Sequence, residues 1–156
     1  MKKRAVLILA ACLFIAAFAG CGKKTEAKNL DLAAMAADLK DNGGFSDILS
    51  PIETGVAAKL YGVDAATVSD SQVYCSTKAT TEEIGLFKCT DEAAAEKLLA
   101  AGEARVESQR TTYSAYAPGE MPKLDDAIVK QSGSYVVYVV TADSAKAQAV
   151  LDKYLK

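Results

Sequence analysis

The chain has 156 residues, 18 Lys and Arg against 20 Asp and Glu, and no histidine. The absence of histidine excludes Ser-His-Asp and Cys-His nucleophilic arrangements, and four cysteines without CxxC spacing leave no structural zinc site. A slightly acidic balance lacks the basic stripes that nucleic acid requires, so no nucleic-acid partner is expected.

Lys2, Lys3 and Arg4 precede an uncharged apolar run from Ala5 to Ala19. A basic start, an apolar middle and a small-residue end predict a signal peptide over residues 1–20. The run is shorter than the roughly 20 residues a spanning helix needs. Phe18-Ala19-Gly20-Cys21 resembles a bacterial lipobox, although Phe18 stands where Leu is usual. The resemblance implies a diacylglycerol on the Cys21 thiol, cleavage just before it, and a lipid-anchored protein on the outer face of the cell membrane. Two or three acyl chains hold a protein stably on a bilayer, where one is marginal. Without residues 1–20 the chain carries 15 basic and 20 acidic residues, a net charge of −5. The lipid, rather than surface charge, is therefore the expected membrane contact. Residues 21–29 read as the lipidated cysteine and a polar tether, and residues 30–156 as a single domain.

"NLDLAAMAADLKDNGG" places Leu32, Met35, Ala36 and Leu39 at helical spacing and stops at Gly43-Gly44. "SPIETGVAAKLYG" predicts a second helix, with Ser50 as cap, Pro51 at the first position and Glu53 completing a capping box. The intervening Phe45, Ile48 and Leu49 are expected in the core. "DSQVYCST" and "EEIGLFKCT" form a β-hairpin pattern, with its turn near Ala79 to Thr81 and Cys75 facing roughly Gly85. Cys75 and Cys89 are then too far apart for a disulfide.

Residues 91–116 carry the longest helical pattern, with Ala95, Leu98, Leu99, Gly102, Val106 and Tyr113 on one face. Thr90 or Asp91 caps it, and Pro118 and Pro122 forbid its continuation. "DDAIVKQ" and "SYVVYVVTA" predict a second hairpin around Ser132-Gly133. Its Val/Tyr strand is apolar on both faces, as a covered central strand requires. Asp143 opens a last helix with Ala147, Val150, Leu151 and Tyr154 facing inward. The expected fold class is α+β: a four-stranded antiparallel sheet from two β-hairpins, each followed by a helix. Those two helices share one face, and two N-terminal helices cover the other face or an edge.

The lipobox, "VYCST" leading to "TTEEIGLFK", "ARVESQRTTYSAYAPGE" and "GSYVVYVV" together resemble a family of small lipoproteins from Gram-positive anaerobes built around a domain of unknown function. Cys75 departs from the small polar residue expected there. The resemblance implies surface attachment and an α+β domain, and it brings no activity with it.

No phosphate loop of the GxxxxGK type is present, and no cofactor is expected. Glu82-Glu83 and Asp125-Asp126 are carboxylate pairs, but neighbours on a strand point to opposite faces. They read as solvated turn and strand-end residues, not as catalytic or metal-binding groups. "ESQRTTYSAYAPGEMPK" is denser in Tyr and Pro than the rest. Arg110, Tyr113 and Tyr116 are its candidate binding residues, with core closure by the tyrosines as the alternative. The residues favour a non-catalytic binding or accessory module with an envelope protein, peptide or glycan as ligand. A small cell-envelope hydrolase or transferase is the second reading.

Overall fold

The computed structural model describes residues 29–77 and 79–156. The predicted signal peptide, Cys21 and the tether up to residue 28 lie outside the described residues. In chain order the elements are α1 (Leu32–Asn42), β1 (Ser50–Ile52), α2 (Thr54–Tyr61), β2 (Val68–Cys75), β3 (Glu83–Cys89), α3 (Glu92–Tyr116), α4 (Met121–Asp125), β4 (Ile128–Ser132), β5 (Tyr135–Val140) and α5 (Ser144–Leu155). Single 3-10 turns occupy Ala65–Thr67 and Pro118–Glu120.

The chain is mixed α+β, with one antiparallel sheet in the order β1-β2-β3-β5-β4. The sheet has five strands where four were expected. The added strand, β1, takes Ser50-Pro51-Ile52 from the predicted start of the second helix and pairs it with Cys75, Tyr74 and Val73. A proline is tolerated there because an edge strand has no further neighbour needing its N–H. Helix α2 starts at Thr54 instead, with Glu53 in the cap position and no side-chain cap bond.

Both hairpins form. The second turns at Gly133, whose φ of 57° suits a residue without Cβ. The first pairs Cys75 with Glu83. Its turn is centred one residue earlier than expected, and that moves the facing residue from Gly85 to Glu83. Strands β3 and β4 both run antiparallel to β5, which lies between them. Segment α3–α4 therefore crosses over β5 on one face.

That crossover decides where the last helix goes. Helices α2, α3 and α4 cover one face, around Tyr61, Phe87, Leu98, Val106 and Tyr138. Helices α1 and α5 cover the other, around Met35, Leu39, Leu86, Val137 and Leu151. The expectation that α3 and α5 share a face is thus corrected: α3, with 25 residues, already fills its side of the sheet beside α2. Strand β5 is buried at all six positions, as its continuous apolar run requires. The inward residues of α1 and α5 fall where helical spacing puts them, except that Tyr154 is only half-buried. In the 45–49 segment Phe45 and Leu49 are half-buried, but Ile48 is 80% exposed and does not enter the core.

Candidate functional site

Three consecutive residues at the start of β3 organise one end of the sheet. Thr81 donates from its N–H and its hydroxyl to Glu120 Oε2, at 2.9 and 3.2 Å. The Glu82 carboxylate accepts from the N–H groups of Ser46 and Asp47, both at 2.9 Å. It also accepts from the Ser46 hydroxyl at 2.6 Å and from Lys123 Nζ at 3.0 Å. The Glu83 carboxylate accepts from the Tyr61 hydroxyl at 2.7 Å and from Arg105 Nε and Nη2 at 3.0 and 2.5 Å. Both glutamates are 1% exposed, so the reading of them as solvated turn residues is corrected. Nothing adjacent in the chain announces this, because Arg105 and Lys123 lie 22 and 41 residues away.

Burial opposes the charge on Glu82, but the donors from Ser46, Asp47 and Lys123 outweigh it and hold the carboxyl below the usual glutamate range. Burial also works against the charged form of Arg105, and the hydrogen bonds and charge of Glu83 more than restore it. Tyr61 is pushed well above the ordinary phenol range, first by burial and then by the Glu83 charge. The Cys75 thiol is pushed up to about 12, mainly by burial, with Glu83 adding to the shift and Arg105 opposing it. A thiol held protonated is a poor nucleophile. Gly85 makes the arrangement sterically feasible, since a Cβ there would lie 2.6 Å from the Tyr61 hydroxyl. Chemically the cluster is a clamp: its carboxylates are occupied by the protein's own donors, and they tie β3 to α2, α3, α4 and the 46–47 loop.

The three candidate binding residues end α3 at the same end of the sheet. Arg110 pairs with Asp125, approaches Glu107 to 3.3 Å and donates to the Leu124 carbonyl at 3.0 Å. Asp125 and Asp126 close α4, where strand-end positions were expected. Tyr113 is 9% exposed, and its hydroxyl donates to the Thr80 carbonyl at 3.1 Å. Tyr116 is 70% exposed and stands edge-to-face against Tyr113, with ring centroids 5.8 Å apart. One tyrosine therefore closes the core and the other is open to solvent. Cys21 lies outside the described residues.

An open groove of about 390 Å³ lies on the α1/α5 side, lined by Lys40, Asp41, Asn42, Gly44, Phe45 and Lys146. Of its cations, Lys146 pairs with Asp143 at 3.2 Å and Lys40 lies over the Tyr74 ring, 4.6 Å from its centroid. Among the described residues, no three His, Cys, Asp or Glu gather to hold a metal ion, and no helix is long and apolar enough to cross a membrane.

No curated protein and no solved structure matches the chain. Residues 43–141, from the end of α1 to the end of β5, match the model of a family described as a domain of unknown function, DUF4358. That span contains the whole sheet and the entire Glu82–Glu83 clamp, and the chain belongs to this family.

Proposed function

We propose that the protein is an extracytoplasmic, membrane-anchored lipoprotein, of the kind the sequence resemblance places in Gram-positive anaerobes. Its folded part is a non-catalytic binding or accessory module on the outer face of the cell membrane. The lipid on Cys21 is its membrane contact, and an envelope protein, peptide or glycan is its ligand.

The observation that carries the reading is the placement of Tyr116. Asn29, where the tether joins the domain, accepts from Lys88 Nζ at 3.1 Å and from the Tyr135 hydroxyl at 3.2 Å. Those residues sit at the end of β3 and the start of β5. Helix α3 begins just beyond β3 and runs back along the sheet for 25 residues, about 37 Å at helical rise. It ends where Tyr113 bonds the turn between β2 and β3. The open ring is therefore at the pole opposite the tether. There it is held by Tyr113 and by a segment stiffened by Pro118 and Pro122. A preordered aromatic costs little entropy to use in binding.

Mass spectrometry of the native protein tests the anchor: diacylglyceryl-Cys21 at the mature N-terminus is expected, and an unmodified thiol there removes the lipoprotein reading. For the binding surface, detergent-solubilised envelope is passed over immobilised protein. Tyr116→Ala is expected to lower partner retention about tenfold while leaving stability within about 1 kcal/mol, as for other surface changes. Equal losses of retention and stability overturn the assignment.

A further inference from the structure

We propose that Ile48 and Tyr116 form the two halves of one docking surface for a cationic polypeptide segment bearing aliphatic or aromatic side chains. The inference rests on the binding-module reading and extends it to a second element and a class of partner. Ile48 and Tyr116 are the two most exposed large hydrophobic side chains among the described residues, at 80% and 70%. They are 68 positions apart in sequence, yet a short chain of contacts joins them. The Ile48 N–H donates to Asp47 Oδ1 at 2.7 Å, and the Thr80 hydroxyl donates to Asp47 Oδ2 at 3.1 Å. The Thr80 carbonyl accepts from Tyr113, against whose ring Tyr116 stands edge-to-face. The loop that carries Ile48 is held in place by the buried Glu82 carboxylate, through the N–H groups of Ser46 and Asp47. Both apolar groups are thus displayed on backbone that is already ordered.

Charge selects the occupant. Lys123 lies between Glu82 and Glu120, at 3.0 and 3.1 Å, and Arg110 lies between Glu107 and Asp125. Each cation meets two carboxylates, so among the described residues each group keeps a net negative charge, and Asp47 adds another. Helix α3 points its C-terminus at the same place with no basic residue in its last turn, and its dipole also favours a cation. This balance disfavours an anionic polymer or an anionic lipid surface. A segment with Lys or Arg flanking apolar side chains meets complementary charge and two apolar contacts. Glu82 acts here as a positioning residue, since it holds the Ile48 loop without facing the partner.

The test uses the full-length protein in mild detergent and a displayed library of random 12-residue peptides. Enrichment of sequences combining Lys or Arg with Leu, Ile, Phe, Tyr or Trp is expected. Binding of a synthetic enriched peptide is expected to fall at least tenfold in Ile48→Ser and in Tyr116→Ala, and severalfold between 50 and 500 mM salt. Both variants are expected to melt like the parent protein. Three outcomes overturn the proposal: enrichment of acidic peptides, adsorption to phosphatidylglycerol vesicles lost in Tyr116→Ala, or self-association lost in that variant. Loss in Tyr116→Ala but not in Ile48→Ser also overturns it, while leaving the helix-end binding reading intact. Indifference to both variants removes that reading as well.

Discussion

Glu83 shows what a buried charge does for this fold. Its carboxylate is 2% exposed at the side chain and faces an Arg105 that is 17% exposed. Replacing Glu83 by Gln leaves the guanidinium desolvated and without a counter-charge, a situation that costs about 3 kcal/mol or more. The expected result is a lower urea midpoint with an unchanged slope. Glu82 contributes to the acid limb of stability, together with Asp38, Asp143 and Asp152, whose carboxyls are also held below the usual range. The folded-state affinity of Glu82 for a proton is lowered, so its contribution is fully present above the ordinary glutamate value of about 4.3. That contribution is lost as pH falls through the lower folded value. Urea midpoints measured from about pH 5 down to pH 3 are expected to fall in the parent protein and to fall less steeply in Glu82→Gln; an equal decline in both would put the acid limb elsewhere.

At the scale of elements, caps and strand edges decide boundaries. Asp91 accepts from the Ala94 N–H at 2.7 Å and Asp143 accepts from Lys146 N–H at 3.1 Å, so the aspartates that open α3 and α5 act alike. Asp91→Ala is expected to cost about 1 kcal/mol, read as a lower thermal midpoint with native circular dichroism at 20 °C. The Ser50-Pro51-Ile52 segment carried good helix-start chemistry and became a strand. Pairing with β2 turns Ile52 toward the α2/α3 core, where it packs, and that gain outweighs a capping box.

The described residues form three layers, helix on sheet on helix, with no covalent staple between Cys75 and Cys89; both thiols are free. Cys75 faces Glu83, and Cys89 lies six residues further along β3, about 20 Å at strand rise. A disulfide requires Cα atoms within about 7 Å. Burial also pushes the Cys89 thiol up to about 11, with the Asp91 charge adding to it. Reductant is therefore expected to leave the melting temperature unchanged. Iodoacetamide at pH 8 is expected to label Cys75 and Cys89 only after unfolding. A peptide linked through both cysteines in a non-reducing digest would contradict the register.

Local chemistry was enough for most of the elements. Helical spacing in α1, α3 and α5, the Gly133 turn and the unbroken apolar run of β5 each depend on neighbours a few residues away, and they form where the sequence places them. The Tyr-rich end of α3 was singled out as a candidate surface because an aromatic and proline cluster is visible in one short window, and its role as a binding site is a proposal. Three things depended on the tertiary structure. The face taken by α5 was decided by how much of the sheet α3 and α2 already cover. The Glu82–Glu83 clamp exists only because the fold brings Arg105 and Lys123 onto carboxylates far away in the chain. The different exposures of Tyr113 and Tyr116 follow from one ring meeting Thr80 across the sheet end while the other points past it. Burial is a property of the assembled layers, and residues of one type three positions apart on a helix differ only in what the rest of the chain sets against them.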